Sequence, residues 1–136
     1  MFKFEKLHVW NKAADFSIEI FKIADIIPQK YQFSFGEQLK RATLSITNNI
    51  AEGAGRKTKK ESNYFFNIAK GSTYEVINIL IILHKNKIIS LENSLKKRLY
   101  SNADEICKML AGLVKSSSWT LYLKSYIQKG KYYVQP

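Results

Sequence analysis

Polar side chains that are seldom found together on a helix face recur through residues 41–52. Arg41, Ser45, Asn48 and Glu52 follow the i, i+4, i+7, i+11 spacing, which places them on one face of a predicted helix. Serine and asparagine compete for backbone hydrogen bonds and weaken a helix interior, so helix propensity does not explain their presence. The chemistry that this face offers is hydrogen bonding, with a cation and a carboxylate at its ends.

Two interpretations of this polar face stay open in the sequence. The first is a structural hydrogen-bond network between helices, formed by Arg41, Ser45, Asn49 and Glu52, with Arg41 and Glu52 as its charged ends. Polar side chains that are satisfied between helices specify one packing arrangement, which favours the network. The second interpretation makes the same groups ligands for a phosphate or for a partner strand.

A run of cations begins where this helix is predicted to end. Gly53 and Gly55 suit the terminus, because glycine readily adopts the positive φ that closes a helix. Lys59 and Lys60 fall in the first turn of the next predicted helix, where cations oppose the helix dipole. The run is therefore either attracted to an anion or simply solvated. The candidate nucleic-acid contacts are Lys40, Arg56, Lys57, Lys59, Lys60 and Lys70.

The net charge points to a polyanionic partner. The chain carries 22 lysines and arginines against 11 acidic residues, a formal net charge of +11. A field of that sign favours polyanions, and nucleic acid is the commonest polyanion in a cytoplasm. Most of the cations are lysines, so a compositional bias of the genome is the alternative explanation.

The residues that could catalyse a reaction are few and scattered. His8 and His84 lie far apart, and no carboxylate stands at ligand spacing from either of them. Cys107 is the one cysteine and is expected to be a reduced, buried residue. The Glu-x-x-His pattern of carboxylate-rich bundles and the Walker spacing are both absent. We expect no enzymatic activity, metal or cofactor.

Apolar residues at helical spacing predict four helices, over residues 7–27, 35–54, 59–85 and about 90–115. Thr58 stands three residues before Glu61, the signature of a capping box that begins the third helix. Short links between the helices predict an all-α fold, an up-down antiparallel four-helix bundle. No stretch is apolar and long enough to act as a signal peptide or to span a bilayer, so a cytoplasmic protein without membrane contact is expected.

The apolar faces of two helices carry further expectations. Helix one is expected to bury Leu7, Trp10, Ala14, Phe21 and Ala24, with Ile20 and Ile27 widening the apolar arc. Helix three is the most apolar, and so wide an apolar arc indicates contact with a second subunit as well as with its own bundle. Gly71 lies in the middle of helix three, where glycine costs about 1 kcal/mol relative to alanine. Close approach of another backbone would account for it.

The chain divides into a bundle domain, residues 1–115, and a basic aromatic C-terminal tail, residues 116–136. From Trp119 onward the tail has four tyrosines, three lysines and no acidic residue. Such a segment could pack on a neighbour, bind nucleic acid by stacking and charge, or stay disordered.

Several segments together resemble one protein family. Residues 38–56 read QLKRATLSITNNIAEGAGR, residues 4–10 read FEKLHVW, residues 68–75 read IAKGSTYE, and Ile27 with Pro28 ends helix one. This combination resembles the four-helix-bundle proteins encoded within intervening sequences of bacterial 23S rRNA genes, over roughly residues 2–115. Accessory proteins of diversity-generating retroelements look like members of the same superfamily.

The resemblance implies an up-down four-helix bundle that assembles into a ring-like homopentamer with a basic surface and no enzymatic activity. For the retroelement relatives it implies binding of nucleic acid and of a reverse transcriptase. Lys40 departs from the family pattern, in which arginine is common, and the tail lies outside the shared region. The polar positions of the family correspond here to Arg41, Ser45, Asn49, Glu52 and Arg56.

Two functions from different classes follow. The first is a homopentamer whose basic surface binds RNA or DNA through phosphates, without sequence readout. The alternative is an oligomeric scaffold for a protein partner, for example a reverse transcriptase, with the charge serving solubility or encounter rate.

Overall fold

Four α-helices form the greater part of residues 1–116, which are the residues that the computed structural model describes. They are α1 His8–Asp25, α2 Glu37–Ala54, α3 Lys59–Lys85 and α4 Asn93–Lys115. No strand occurs within these residues, so the all-α prediction is confirmed there. The predictions for the tail beyond Ser116 lie outside the described residues.

The link between α1 and α2 is itself helical, which differs from the predicted simple turn. A 3-10 turn, Gln29–Tyr31, runs into a π-helical turn, Gln32–Gly36, and α2 therefore begins at Glu37. The amide of Gln32 donates hydrogen bonds to the backbone oxygens of Ala24 at 2.9 Å and Ile27 at 2.7 Å. These bonds satisfy carbonyls that the end of α1 leaves without helical partners.

The start of α3 confirms one half of the predicted capping box, the N-cap bond to Thr58, and the return bond from the Thr58 amide to the Glu61 carboxylate is not found within residues 1–116. The Thr58 hydroxyl accepts a hydrogen bond from the backbone amide of Glu61 at 3.2 Å, and Thr58 has the extended backbone of an N-cap residue. The cap lies within the basic run and fixes the first turn of α3, which contains Lys59 and Lys60.

The predicted apolar arc of α1 is confirmed at Leu7, Ile20, Ala24 and Ile27, and its other buried residues differ from the predicted ones. Val9, Ala13, Phe16 and Ile20 are buried, together with Leu7, Ile23, Ala24 and Ile27, whereas Trp10, Ala14 and Phe21 are half-buried. The Trp10 ring lies 5.0 Å from that of Phe4 at the margin of the core. Trp10, which was predicted to be buried in the bundle, therefore contacts Phe4 in the short helical turn at the N-terminus.

The four helices contact one another in a closed order. The main contacts join α1 to α2, α2 to α3, α3 to α4, and α4 back to α1. A core of aliphatic side chains with Phe16 and Phe66 fills the space between them. Two opposite sides result, and they are called here the α1–α2 side and the α3–α4 side. No helix among residues 1–116 is long and apolar enough to cross a membrane.

Candidate nucleic-acid interface

The positive charge of the helices is concentrated on one side of the molecule. Helices α1 and α2 together contain four lysines and arginines and five acidic residues, a net charge of −1. Helices α3 and α4 contain nine cations and four acidic residues, a net charge of +5. This distribution of charge favours a polyanion on the α3–α4 side over the α1–α2 side.

The elbow between α2 and α3 lies at one end of this basic side. The guanidinium of Arg56 is held between the carboxylate of Glu52, at 2.6 Å, and the ring of Phe65, at 4.6 Å. Lys57 and Lys60 are exposed, and no ion pair joins either of them to a residue within 1–116. The elbow thus offers two lysines and one oriented arginine to an anion.

Lys59 has a different role from the one that the sequence suggests. Its ammonium donates hydrogen bonds to the Asn63 side chain at 2.7 Å and to the backbone oxygens of Leu113 at 2.7 Å and Val114 at 3.0 Å. Burial lowers the pKa of Lys59 from its ordinary value. Two of these acceptors lie in the last turn of α4 and the third is on α3, so the ammonium is used within the fold and the expectation that Lys59 contacts a phosphate is revised.

The remaining predicted contacts are spread along the molecule. Lys40 lies near the beginning of α2, 3.8 Å from Asp25, and about 20 Å of helix separates it from the elbow. Lys70 is half-buried in α3, close enough to Cys107 to influence its thiol electrostatically. The structure therefore brings together Arg56, Lys57 and Lys60, leaves Lys70 further along the same side, and places Lys40 on the α1–α2 side.

Two lysines of α4 extend the basic side, and neither was among the residues singled out in the sequence as contacts. Lys96 lies over the ring of Tyr100, 5.6 Å from its centroid, and Lys108 pairs with Asp104 at 2.9 Å. Their outward positions on a helical wheel were visible in the sequence. Their proximity to α3 was not, because it depends on how α3 and α4 pack.

The polar face of α2 forms part of the expected network. The Ser45 hydroxyl lies 2.8 Å from that of Ser72 on α3. The Asn49 amide donates to the Ser45 hydroxyl at 3.0 Å and to the Ser45 carbonyl at 2.7 Å. Ser45 and Asn49 are thus a link between α2 and α3, and Ser72 is a member that sequence analysis missed.

The charged ends of that network are placed elsewhere. Glu52 is exposed and pairs with Arg56 rather than with Arg41. Arg41 is exposed and takes part in none of the hydrogen bonds or ion pairs found within residues 1–116. The two groups stand three turns apart on α2, which is too far for one network, so the prediction that they terminate it is corrected.

Gly53 serves close packing and not a positive φ. The backbone at Gly55, which ends α2, is right-handed, with φ −88°, so the expected left-handed closure is absent. A Cβ at Gly53 would lie 2.7 and 2.8 Å from ring atoms of Phe66 and 3.1 Å from the Ser62 carbonyl oxygen. Only glycine allows α2 and α3 to approach this closely at the elbow.

Histidine and cysteine side chains belong to the packing of the bundle. Burial and Lys12 lower the pKa of His8, and His84 accepts a hydrogen bond from the Leu91 amide at 3.4 Å. Cys107 is buried, which raises the pKa of its thiol. No group of three potential metal ligands occurs in the part of the chain that the structure describes.

Comparison with known proteins gives a family and a fold. The family model described as 23S rRNA-intervening sequence protein matches residues 5–112. A solved structure of a protein with unknown function from the S23 ribosomal protein family of Bacteroides thetaiotaomicron is similar, with a TM-score of 0.70 and 22% identity. The similarity covers 79% of this chain and 99% of that one. No curated protein matches the chain.

Proposed function

The chain belongs to the 23S rRNA-intervening sequence protein family, and from this premise we propose that it is a non-enzymatic nucleic-acid-binding protein that acts through the basic surface of a homopentamer. The observation that carries the proposal is the separation of charge, with a net +5 on α3 and α4 and −1 on α1 and α2. Charges that served solubility alone would have no reason to collect on one side.

The contacts proposed here are the exposed elbow cations Arg56, Lys57 and Lys60, continued along the same side by Lys70, Lys96 and Lys108. Ammonium and guanidinium groups bind phosphates, and each neutralised phosphate releases counterions, so affinity falls with salt. Binding of this kind fixes the nucleic acid in place without reading its sequence. Lys59 is not part of the surface, because its donors are already used.

The assembly proposed here is an up-down antiparallel bundle in a ring-like homopentamer, placed in the cytoplasm. Short links and the contact between the first residue of α3 and the last turn of α4 support the antiparallel order. The exposure of two apolar residues supports self-association. Ile18 is 55% exposed and Leu44 is 51% exposed. Both lie on the α1–α2 side, which leaves the basic side open.

The two apolar residues share a surface. Asp25 and Lys40 approach each other across α1 and α2. Ile18 precedes Asp25 by two turns on the same face of α1, and Leu44 follows Lys40 by one turn on the same face of α2. Ile18 and Leu44 therefore form an exposed apolar pair, which a neighbouring copy would cover.

The test compares two triple variants that lose the same formal charge. Arg56, Lys57 and Lys60 are changed to glutamine in one variant, and Lys22, Lys40 and Arg41 on the α1–α2 side in the other. We expect the elbow variant to bind labelled RNA and DNA at least about tenfold more weakly at low salt, with a shallower salt dependence. The control variant should bind within about twofold of the unchanged protein.

Two outcomes would reject the proposal. Equal losses in the two variants would show attraction by net charge alone, without a surface. An intact oligomer, sized by light scattering, that binds no nucleic acid would favour the alternative of a scaffold for a protein partner such as a reverse transcriptase.

A further inference from the structure

A groove of about 460 Å³ opens between α3 and α4, away from the elbow. Thr73 and Ile77 of α3 and Ala103 of α4 line it, and Tyr74 of α3 and Tyr100 of α4 stand on its two opposite helices. The volume exceeds that of a single planar heterocycle with its sugar, and the groove is open to solvent on one side. A groove of this size with a tyrosine on each of its two helices suits a flat ligand that can stack on an aromatic ring.

The groove exists because α4 presents small side chains to the large ones of α3. Ala103 and Cys107 face the part of α3 that carries Ile77 and Ile81. A leucine in place of either small residue would fill much of this space. The opening is thus a consequence of residue choice on α4 and not of a break in either helix, because both helices continue past it.

Three lysines interact with residues that line the groove. Lys96 lies over the Tyr100 ring, Lys108 is bound to Asp104 at the rim, and Lys70 is close to Cys107 in the lining. Their charges act on whatever enters, and they favour a ligand that carries negative charge beside an apolar or aromatic body. A nucleotide has this combination of a planar base and a phosphate.

We infer that this groove binds an unstacked nucleobase of a single-stranded nucleic acid, with the base between Tyr74 and Tyr100 and the flanking phosphates on the rim lysines. The inference rests on the proposed function and names its substrate class. Bases of every type stack on aromatic rings, so this contact adds affinity without sequence readout. A duplex, whose bases are already stacked, offers no base to the groove.

A base stacked on Tyr74 would cover a ring that is otherwise exposed to solvent. Tyr74 is 64% exposed although it lies beside an apolar groove. Asn78 and Asp104 add an amide and a carboxylate at the same opening, which can bond to the polar edge of a base. The segment after Ser116 is a poorer occupant by charge, since its three lysines and lack of acidic residues repel the rim lysines.

Three ligands of equal length separate stacking from charge. They are a 15-nucleotide single strand, an abasic strand with the same phosphates but no bases, and a 15-base-pair duplex. We expect the unchanged protein to bind the single strand at least about fivefold more tightly than the abasic strand. Tyr74→Ala should abolish that preference while leaving the affinity for the abasic strand unchanged.

Tyr64→Ala is the matched control. Tyr64 lies on the same helix and is also 64% exposed, but it does not line the groove. We expect this variant to keep the preference for bases. Circular dichroism would check that both variants fold, and neither substitution removes a buried side chain.

The possible results are distinguishable from those of the proposed function. Equal affinity for the single strand and the abasic strand would overturn the groove inference and leave phosphate binding intact. Equal effects of Tyr64→Ala and Tyr74→Ala would also overturn it, as would a lower oligomer mass in Tyr74→Ala, which would assign the groove to a second copy. Failure to bind all three ligands would overturn the proposed function and the inference with it.

Discussion

The α1–α2 side and the α3–α4 side have similar buried residues but differ in the residues that they expose. Both bury aliphatic stripes in a common core, but one exposes Ile18 and Leu44 with almost no net charge, and the other exposes tyrosines and an excess of cations. Core positions are constrained by volume, whereas outward positions are constrained mainly by what they contact. The difference teaches that the outward residues carry the information on partners.

The two sides are held in register by the contact between α2 and α3. Gly53 admits the Phe66 ring at the elbow, and the Ser45 and Ser72 hydroxyls join the helices further along. Because α2 belongs to one side and α3 to the other, this contact fixes how the apolar surface and the basic surface are oriented. Changes in it should alter stability without altering the charge of either side.

The largest expected effect breaks the apolar surface of the α1–α2 side. Leu44→Glu places a charge where a neighbouring copy is proposed to pack, and burying an unpaired charge is strongly unfavourable. We expect the dissociation constant for self-association, measured by light scattering over a concentration series, to rise at least about tenfold.

The control for that change is Ile82→Glu, which puts the same charge on an exposed isoleucine of α3. The oligomer mass of the Ile82→Glu variant should equal that of the unchanged protein. If Ile82→Glu dissociates the oligomer and Leu44→Glu does not, the assignment of the two sides is reversed.

The next effect concerns the contact that joins the sides. Gly53→Ala would push a methyl group against the fully buried Phe66 ring, and overpacking should lower the free energy of unfolding by about 1–2 kcal/mol. Urea denaturation measures it.

Gly71→Ala is expected to have the opposite effect on the free energy of unfolding. No atom of residues 1–116 lies within 4 Å of a Cβ placed at Gly71, so alanine should raise the free energy of unfolding by about 0.5–1 kcal/mol through helix propensity. A reduced oligomer mass instead would place a neighbouring backbone against Gly71, as the apolar arc of helix three suggests. Destabilisation by both substitutions would contradict the difference between the two glycines.

A smaller effect separates two adjacent cations of the α3–α4 side. Lys59→Met removes the donor that three oxygens share and should lower the free energy of unfolding by about 1 kcal/mol, with little change in nucleic-acid affinity. Lys60→Met should do the reverse, with less than about 0.5 kcal/mol of destabilisation and measurably weaker binding. Loss of binding in Lys59→Met alone would show that its ammonium leaves α4 to meet the ligand.

The smallest effect is the coupling between the Ser45 and Ser72 hydroxyls. A double-mutant cycle with Ser45→Ala and Ser72→Ala should give a coupling of about 0.5–1 kcal/mol in the free energy of unfolding. Ser62→Ala is a useful comparison, because the Ser62 hydroxyl is buried without a hydrogen-bond partner among residues 1–116. Its removal should be neutral or slightly stabilising, and a large loss there would contradict the expectation.

Local pattern was sufficient for the helices and for the first turn of α3. Apolar periodicity predicted all four helices, and the spacing of Thr58 and Glu61 predicted the cap that the structure contains. Both depend on residues within a few positions of one another. The half-buried Trp10 contacts Phe4, which lies in a separate helical turn, and the periodicity of α1 alone does not show that contact.

The candidate site was predicted only in part. Arg56, Lys57 and Lys60 were identified from charge and stand together at the elbow, but Lys59 was grouped with them although α4 uses its ammonium. Arg41 and Glu52 were joined to Ser45 because a wheel shows direction but not distance along the axis. The groove that Tyr74 and Tyr100 line could not be predicted from the sequence pattern of α3 or of α4 alone.

The sequence by itself determined that the chain forms four helices, that Thr58 caps the third, and how much positive charge the chain carries, because helix formation and capping depend on neighbours within one or two turns. Only the tertiary structure decided which residues of α1 are buried, which lysine is used internally, why Gly53 is glycine, and which tyrosines line the groove. Each of those outcomes depends on atoms brought together by helix packing, and no local spacing in the chain encodes the distance between two packed helices.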